Sequence, residues 1–379
     1  MPGADLAGYV ASVPLVDHHV HGAFAAEITR NTFEVALNEG CPEAVPPWMT
    51  MMDSQLGFAI RRWCAPVLDL PPHVPADVYW ARRGDLGVAE VTSRLLRAAG
   101  VSDWVVDTGY GPDTVLGPDA MTAASGQRAH VVVRLESIAE RLAAEGVAAS
   151  DYADRFRARL VEGTAGALAV KSILAYRCGF AHDLSRPSDD AVQDAAGRWV
   201  EGDDGPPGRL VDPVLLRFGL HAAVDRGLPI QLHTGLGDRD LDLDKVNPLL
   251  LLDFLRDRDV ARVPVLLLHC YPYHREAAYL AQAFPHVYFD VGLALNHVGV
   301  RSAAVVAESL ELAPFAKQLY SSDAWGPPEL HYLGAALWRR AIGQTLGRWV
   351  DDGDWQLGDA RRVVDMVAGD NARRVYGID

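Results

Sequence analysis

Cysteine is scarce in this sequence: four residues are spread over 379 positions, and no two of them form a CxxC pair. So few and so widely separated cysteines fit neither a disulfide framework nor a zinc knuckle. We expect all four to be small buried hydrophobic residues in a protein from a reducing compartment; they are Cys41, Cys64, Cys178 and Cys270.

Long apolar runs and an excess of basic residues are also missing. No run reaches the roughly 18 apolar residues of a membrane helix, and no Lys or Arg precedes Arg30 to begin a secretory signal peptide. The 35 basic and 50 acidic side chains give a net charge of −15, which opposes attraction to nucleic acid or to an anionic membrane. We therefore expect a cytoplasmic, soluble protein that acts on a small molecule and that could form a homo-oligomer.

Phosphate-binding loops of the GxGxxG and GxxxxGKS/T kinds do not follow any apolar run. Instead, eight short apolar runs end on an ionisable residue: 13–21, 103–107, 130–134, 167–171, 229–233, 264–269, 287–290 and 318–323. Amphipathic stretches such as 136–144 and 275–283 lie between them, which is typical of parallel strands covered by helices. We predict a (β/α)8 TIM barrel as a single domain over 1–379; a doubly wound open sheet is the alternative.

The segment between the first two runs has about 80 residues, too many for a plain crossover. Helical periodicity over 51–64 and 88–99 predicts a helical insertion after strand 1, at about 23–100, which should overhang the mouth of the barrel as a lid. A second stretch, 185–212, is rich in Asp, Gly and Pro, and we expect it to form a loop over the same face.

Histidine and aspartate residues end several of the predicted strands. His19 and His21 close the first run, and residues two apart on a strand point to the same side. His233, His269 and Asp323 end the fifth, sixth and eighth runs, and the strand carboxyl ends of a barrel ring a single mouth. Imidazole and carboxylate are common zinc ligands, so we predict a divalent metal ion. Zinc is the preferred ion, and manganese, iron and nickel are the alternatives.

We expect different roles for two neighbours of the histidine pair. Asp17 shares the face of the pair one pleat deeper, where its carboxylate could orient a metal ligand. His18 points to the other side of the strand, and we expect a packed, hydrogen-bonded histidine there.

These residues, with the segments 17–21, 171–179, 321–325, 328–335 and 369–376, resemble the metal-dependent amidohydrolase superfamily and its amidohydrolase-2 branch. The resemblance is strongest to the amidohydrolase-like half of nodulin/glutamine synthetase fusion proteins, although no synthetase half is seen here. It implies a distorted barrel with one or two metal ions. It further implies that His19, His21 and Asp323 bind metal, and that His233 and His269 bind metal or contact the substrate.

Lys171, at the end of the fourth run, is one of only three lysines, whereas arginine supplies nearly all other positive charge. A lysine here suggests a task that arginine cannot perform, such as losing its proton. The resemblance adds the expectation of a carbamate that bridges two metal ions. The alternatives are an ammonium group that holds a substrate carboxylate and a structural ion pair.

The reaction expected from these groups is hydrolysis of an amide, lactone or ester bond by metal-activated water. Asp323 would take the proton of the water and His269 would help to stabilise the oxyanion. Arg177 is a candidate for binding a substrate carboxylate, or for a surface ion pair, and Tyr176 and Trp325 for lining the pocket. A γ-glutamyl amide is the preferred substrate, and the alternatives are a nonoxidative decarboxylase and a noncatalytic binding barrel.

Overall fold

A parallel sheet of seven strands organises the molecule. The computed structural model describes residues 2–111, 113–201 and 208–379. Within these ranges the strands pair in chain order, each parallel to the next: β1 (Leu15–Val20), β2 (Val101–Asp107), β3 (Arg128–Arg134), β4 (Ala169–Ser172), β5 (Ile230–Thr234), β6 (Val265–His269) and β7 (Val287–Phe289). Each of the first seven predicted runs therefore overlaps one strand.

The eighth predicted run, 318–323, is not a regular strand, and that part of the prediction was wrong. Its backbone nevertheless joins both edges of the sheet, because Leu319 N donates to Phe289 O at 3.0 Å and His18 N donates to Tyr320 O at 3.1 Å. The positive φ of Asp323, 48°, interrupts the extended conformation that a strand requires. The predicted distorted (β/α)8 barrel is confirmed, with an irregular eighth segment that closes it.

Helices cover the sheet and form the insertion. In chain order they are α1 (Pro2–Ser12), α2 (Arg30–Ala36), α3 (Gln55–Ala59), α4 (Ala65–Val67), α5 (Ala76–Leu86), α6 (Val88–Ala98), α7 (Pro118–Ser125), α8 (Leu135–Ala144), α9 (Tyr152–Gly163), α10 (Asp189–Glu201), α11 (Pro213–Arg226), α12 (Leu252–Arg256), α13 (His274–Ala283), α14 (Ala294–Val298), α15 (Ser302–Ser309), α16 (Pro328–Asp351), α17 (Leu357–Asp365) and α18 (Asn371–Tyr376). Within the described ranges, no helix is long and apolar enough to cross a bilayer.

The carboxyl end of the chain packs against the interior of the barrel. Apolar side chains from five strands and from the eighth segment form a buried cluster with Ala372, Tyr376 and Ile378. The Arg128 guanidinium at the start of β3 donates to the carbonyl oxygen of Asp379 at 2.8 Å. The chain therefore ends at the face of the barrel opposite the carboxyl ends of the strands, and Tyr376 reaches the interior from there.

The predicted insertion at 23–100 contains α2 to α6. The last of these, α6, buries Val91, Leu95 and Leu96 and leads directly into β2, as the returning helix of a βα unit does. Closer to β1, Val35 and Glu39 line the cavity described below. A lid function for this segment stays a prediction.

The stretch 185–212 was predicted as a loop, but 189–201 forms α10, so the prediction was wrong there. The reason is an apolar spacing of three and four residues that a Gly-rich and Asp-rich composition concealed: Val192, Ala195, Ala196 and Trp199 are all buried. The Trp199 ring lies 6.3 Å from that of Tyr152, so α10 belongs to the outer helical layer. Residues 202–207 lie outside the described residues.

The burial of α10 leads to a stability prediction. Trp199→Ala should lower the free energy of unfolding by about 3–5 kcal/mol, the usual cost of removing a large buried aromatic side chain. Val200→Ala, at the exposed neighbouring position, should change it by less than about 0.5 kcal/mol. Chemical denaturation of both variants measures the difference, and equal effects would contradict the packing of α10.

The four cysteines are free thiols. Cys64 and Cys270 are buried as predicted, whereas Cys41 and Cys178 are partly exposed, which corrects the expectation that all four are buried.

Candidate metal centre and active site

The histidine pair at the end of β1 meets Asp323 from the eighth segment. The His19 and His21 rings are 5.2 Å apart, and their Nε2 atoms lie 3.2 Å and 3.7 Å from Asp323 Oδ1. One nitrogen or oxygen from each of the three residues lies within 4.8 Å of the others. The structure thus brings the β1 histidine pair together with an aspartate some 300 positions later, in an arrangement that could hold one metal ion.

The histidines of β5 and β6 lie beside this trio. The His233 and His269 rings are 4.9 Å apart, and the His269 ring is 5.4 Å from that of His19. His269 Nε2 lies 3.2 Å from Asp323 Oδ2, the oxygen that does not face the β1 pair. All five residues predicted at strand ends therefore converge, although their roles stay predictions.

Burial controls the charge of these groups. Desolvation lowers the pKa of His21 to about 4 and holds the pKa values of His19, His233 and His269 well below the usual range. Desolvation also raises the pKa of Asp323 well above its usual value, opposed by the nearby Lys171. The imidazoles are therefore neutral, which is the form that binds metal.

The hydrogen bonding tests whether a cation fits here. Four buried atoms of the site have no hydrogen-bond partner among the described residues. They are His233 Nε2, both ring nitrogens of His269, and Asp323 Oδ1. His21 Nδ1 faces the Asp107 carbonyl oxygen at 3.3 Å, so the ring proton is on Nδ1 and the Nε2 lone pair faces Asp323. His21 Nε2 and an ionised Asp323 Oδ1 would face each other as two buried acceptors, and a divalent cation bound by them would remove that repulsion and favour the ionised carboxyl group.

Two of the residues have unfavourable backbone conformations. His269 has φ 67° and Asp323 has φ 48°, in the left-handed region that most residues avoid. Such conformations cost about 1–3 kcal/mol each and cluster at functional sites, where the surrounding structure imposes them. The backbone here aims the two side chains inward at the expense of stability.

Lys171 is buried at the end of β4, with its Nζ 3.1 Å from His19 Nε2. Burial lowers its pKa to about 8, an effect that Asp107 and Asp323 oppose. Among the described residues no carboxylate oxygen forms a salt bridge with Nζ, so the structural ion pair is the least supported alternative. An amine with this pKa is partly neutral near neutral pH.

A buried ion pair beside the site was not predicted as functional. Arg134 Nη2 donates to Asp107 Oδ2 at 2.6 Å, and Arg134 also lines the cavity above the histidines. The Arg134 guanidinium lowers the pKa of Asp107 despite its burial. Both residues end a predicted strand, so the rule that selected the histidines could have selected this pair as well.

A cavity of about 360 Å³ lies over the metal-ligand candidates. The predicted Tyr176, Arg177 and Trp325 line it, and the Tyr176 ring is 4.3 Å from that of His233. Arg177 also donates to Glu140 at 2.9 Å, so both interpretations of this arginine have support. Loop residues that sequence reasoning missed also line the cavity: Glu39, Tyr110, Arg209, Asp238 and Asp240.

The neighbours of the histidine pair lie away from this cavity. His18 is hydrogen bonded to Tyr376 and Asp290, as expected for a packed histidine. Asp17 was expected to orient a metal ligand, and it accepts hydrogen bonds from the backbone N–H and the hydroxyl of Ser322. Asp17 therefore anchors the segment that carries Asp323, and its effect on a bound metal stays a prediction.

Comparisons with known proteins agree with this geometry. The Amidohydrolase family profile (Amidohydro_2) matches residues 112–378. Protein fluG of Emericella nidulans is 32% identical over 225 residues, which are 55% of this chain and 25% of that protein. This chain therefore spans about a quarter of that relative's length.

Solved structures extend the similarity to the whole chain. A protein of Lactobacillus casei ATCC 334 described as a metal-dependent hydrolase superposes with a TM-score of 0.84 at 26% identity, over 98% of this chain and 97% of its own. A uronate isomerase of Bacillus halodurans C-125 superposes with a TM-score of 0.63 at 16% identity, over 100% and 96%, which shows a shared fold. The chain belongs to the amidohydrolase family and is an enzyme of the metal-dependent hydrolase type.

Proposed function

We propose that the enzyme hydrolyses a C–N or C–O bond in a small carboxylated substrate, with γ-glutamyl amides as the preferred class. His19, His21 and Asp323 would hold a divalent cation, for which zinc is the preferred ion. His233 would be a further ligand, and His269 would be a ligand or a substrate contact. The observation that carries this proposal is the set of neutral histidines and unpartnered carboxylate oxygen at the floor of the cavity. When bound, the cation would lower the pKa of water and polarise a carbonyl group.

The two carboxylate oxygens of Asp323 have different roles in this proposal. Oδ1 faces the β1 histidines and would be the ligand atom, whereas Oδ2 faces His269 and would accept a proton once a bound cation keeps the carboxyl group ionised. As water attacks the carbonyl carbon, Oδ2 takes a proton from it and then passes that proton to the leaving amine or alcohol. A ring N–H of His269 donates to the carbonyl oxygen as its negative charge develops.

We propose that the Lys171 amine would become a carbamate if the site holds two ions. Its neutral amine would add carbon dioxide, forming an N–C bond and releasing one proton, and the resulting carbamate would supply two oxygen ligands. The lowered pKa and the contact with His19 support this role. An ammonium group that holds a substrate carboxylate is the alternative for the same position.

The charges around the cavity support a substrate that carries both a carboxylate and an amine. Arg177 and Arg209 lie in the cavity wall, and the buried Nε of Arg177 has no partner among the described residues. Glu39 and Asp238 also line the cavity. A γ-glutamyl group has one carboxylate for the arginines and one ammonium for the acids.

A substrate panel tests the bond and the class. Metal-loaded enzyme is incubated with γ-glutamyl amides, with the matching glutaryl amides that lack the amine, with lactones and with aromatic carboxylates. We expect amine release from γ-glutamyl amides at a higher kcat/KM than from glutaryl amides. Carbon dioxide release without amine release would favour the decarboxylase, and no turnover of any class would favour a noncatalytic barrel.

The next prediction concerns Glu39 and the ammonium group of the substrate. Glu39→Gln should raise KM for a γ-glutamyl amide about tenfold, because a charged hydrogen bond to the ammonium contributes about 1.5–3 kcal/mol, and should change kcat little. KM for the glutaryl amide should not change. Glu43→Gln, on the same loop but paired with Arg239 at 2.7 Å, is the matched control. An unchanged KM in Glu39→Gln would remove Glu39 from substrate binding.

A further inference from the structure

A chain of buried hydrogen bonds lies beneath the metal-ligand candidates, inside the barrel. It runs from His19 through Gln231 and Tyr376 to His18 and Asp290, and these side chains are almost completely shielded from solvent. We propose that Gln231 is a positioning residue that keeps the proton of His19 on Nδ1, so that the Nε2 lone pair points at the cation. This inference rests on the proposed role of His19 as a ligand.

The orientation of the Gln231 amide follows from one backbone group. Gln231 Nε2 lies 2.8 Å from the carbonyl oxygen of His18, which can only accept a hydrogen bond. The amide nitrogen must therefore face this carbonyl, because a flipped amide would oppose two oxygens. Gln231 Oε1 consequently points the other way, towards His19 Nδ1 at 2.9 Å.

The orientation of the amide determines the tautomer of His19. Gln231 Oε1 has no proton, so the hydrogen bond to Nδ1 requires the ring to donate from that nitrogen. A neutral imidazole has one proton, so with that proton on Nδ1 the other ring nitrogen, Nε2, carries a lone pair. Lys171 Nζ, a donor, lies 3.1 Å from this same Nε2, which agrees with the assignment.

Tyr376 connects Gln231 to His18, which points to the other side of β1. Its hydroxyl accepts from Gln231 Nε2 at 2.8 Å and therefore has its own proton available for His18 Nδ1, 3.0 Å away. His18 then carries its proton on Nε2 and donates to Asp290 Oδ2 at 3.1 Å. Asp290 in turn accepts from the backbone N–H of His269 at 3.1 Å. Tyr376, near the carboxyl end of the chain, thus helps to hold β1, the strand that carries His19 and His21.

Nuclear magnetic resonance of the ¹⁵N-labelled, metal-free protein measures the tautomer directly. We expect His19 to be protonated on Nδ1 in the native chain and in Tyr376→Phe, because Gln231 still faces the His18 carbonyl oxygen. In Tyr376→Phe the tautomer preference of His18 should change instead. In Gln231→Met, which keeps the length of the side chain without its polar atoms, the preference of His19 for Nδ1 should be lost.

Metal affinity is the second readout. Gln231→Met should weaken zinc binding about 10- to 100-fold, the usual effect of removing the partner of a ligating histidine. Gln318→Met removes an equally buried glutamine whose Nε2 donates to Ser309 Oγ, and its zinc affinity should equal that of the native chain. Competition with a fluorescent zinc chelator gives both values.

Three outcomes overturn the proposal. They are His19 protonated on Nε2 in the native chain, an unchanged tautomer in Gln231→Met, or an equal loss of affinity in Gln318→Met. If Gln231→Met does not fold, Gln231→Glu replaces it, since a carboxyl group still accepts from His19, and retention of the Nδ1 proton is then the expected result. The tautomer measurement needs neither metal nor turnover, so it fails or succeeds independently of the proposed reaction.

Discussion

Replacing Asp323 by asparagine is expected to lower kcat at least about 1,000-fold, because a general base alone contributes about 10²- to 10⁴-fold and this carboxylate is also a proposed ligand. An amide oxygen is neutral and binds a cation more weakly, and the amide cannot accept the proton of water. Steady-state kinetics in excess zinc, with a substrate identified by the panel, measures the loss.

The same substitution should spare the fold, and this separates a catalytic role from a structural one. Asp323 Oδ1 is buried without a hydrogen-bond partner among the described residues, and the residue has φ 48°, which asparagine tolerates well. We therefore expect the metal-free Asp323→Asn variant to be at least as resistant to denaturant as the native chain.

Asp103 provides the matched control for Asp323. It is a buried carboxylate near the amino end of β2, and it accepts from Arg128 at 2.7 Å and from His130 at 3.1 Å. Asp103→Asn should lower stability and leave kcat per folded molecule unchanged. A kcat for Asp323→Asn within tenfold of the native value would contradict its proposed role as the base.

Removal of the metal is expected to have an effect of similar size. Dialysis against a strong chelator should lower turnover at least about 100-fold, because the neutral histidines cannot by themselves lower the pKa of water to the neutral range. Addition of zinc, manganese or cobalt should restore activity, and the most active ion identifies the metal that suits the site.

Metal binding should also increase the stability of the folded protein. A ligand at 100 times its dissociation constant stabilises the folded state by about 2.7 kcal/mol, so zinc should raise the midpoint of denaturation of the native chain. It should not do so for His21→Ala, whereas His182→Ala, at an exposed position, should behave like the native chain. Full turnover in protein shown to contain no metal would contradict the proposed mechanism.

The fold was largely predictable because the barrel strands are short apolar runs with clear ends. Two failures have physical reasons. The segment 318–323 has the composition of a strand, but Asp323 at its end has φ 48°, outside the extended conformation, and its backbone N–H donates to the carbonyl oxygen of His19 at 3.2 Å. In α10, four buried side chains stabilise a helix whose surrounding sequence has the composition of a loop.

The candidate site was predictable only where strand ends determine it. His19 and His233 are placed by strand register, which a sequence shows, and strand ends in a barrel meet at one mouth. Glu39 and Asp238 belong to loops, whose course depends on contacts made far away in the sequence. Gln231 could have been noticed, because it lies two residues before His233 and so shares its side of β5.

His19, His21 and Asp323 are proposed to bind one divalent cation. The most direct test is an anomalous difference map from zinc-loaded crystals, with data collected on both sides of the zinc absorption edge. We predict a peak about 2.0–2.2 Å from Nε2 of His19, Nε2 of His21 and a carboxylate oxygen of Asp323. A zinc peak elsewhere on the chain with none among these three residues would contradict the claim.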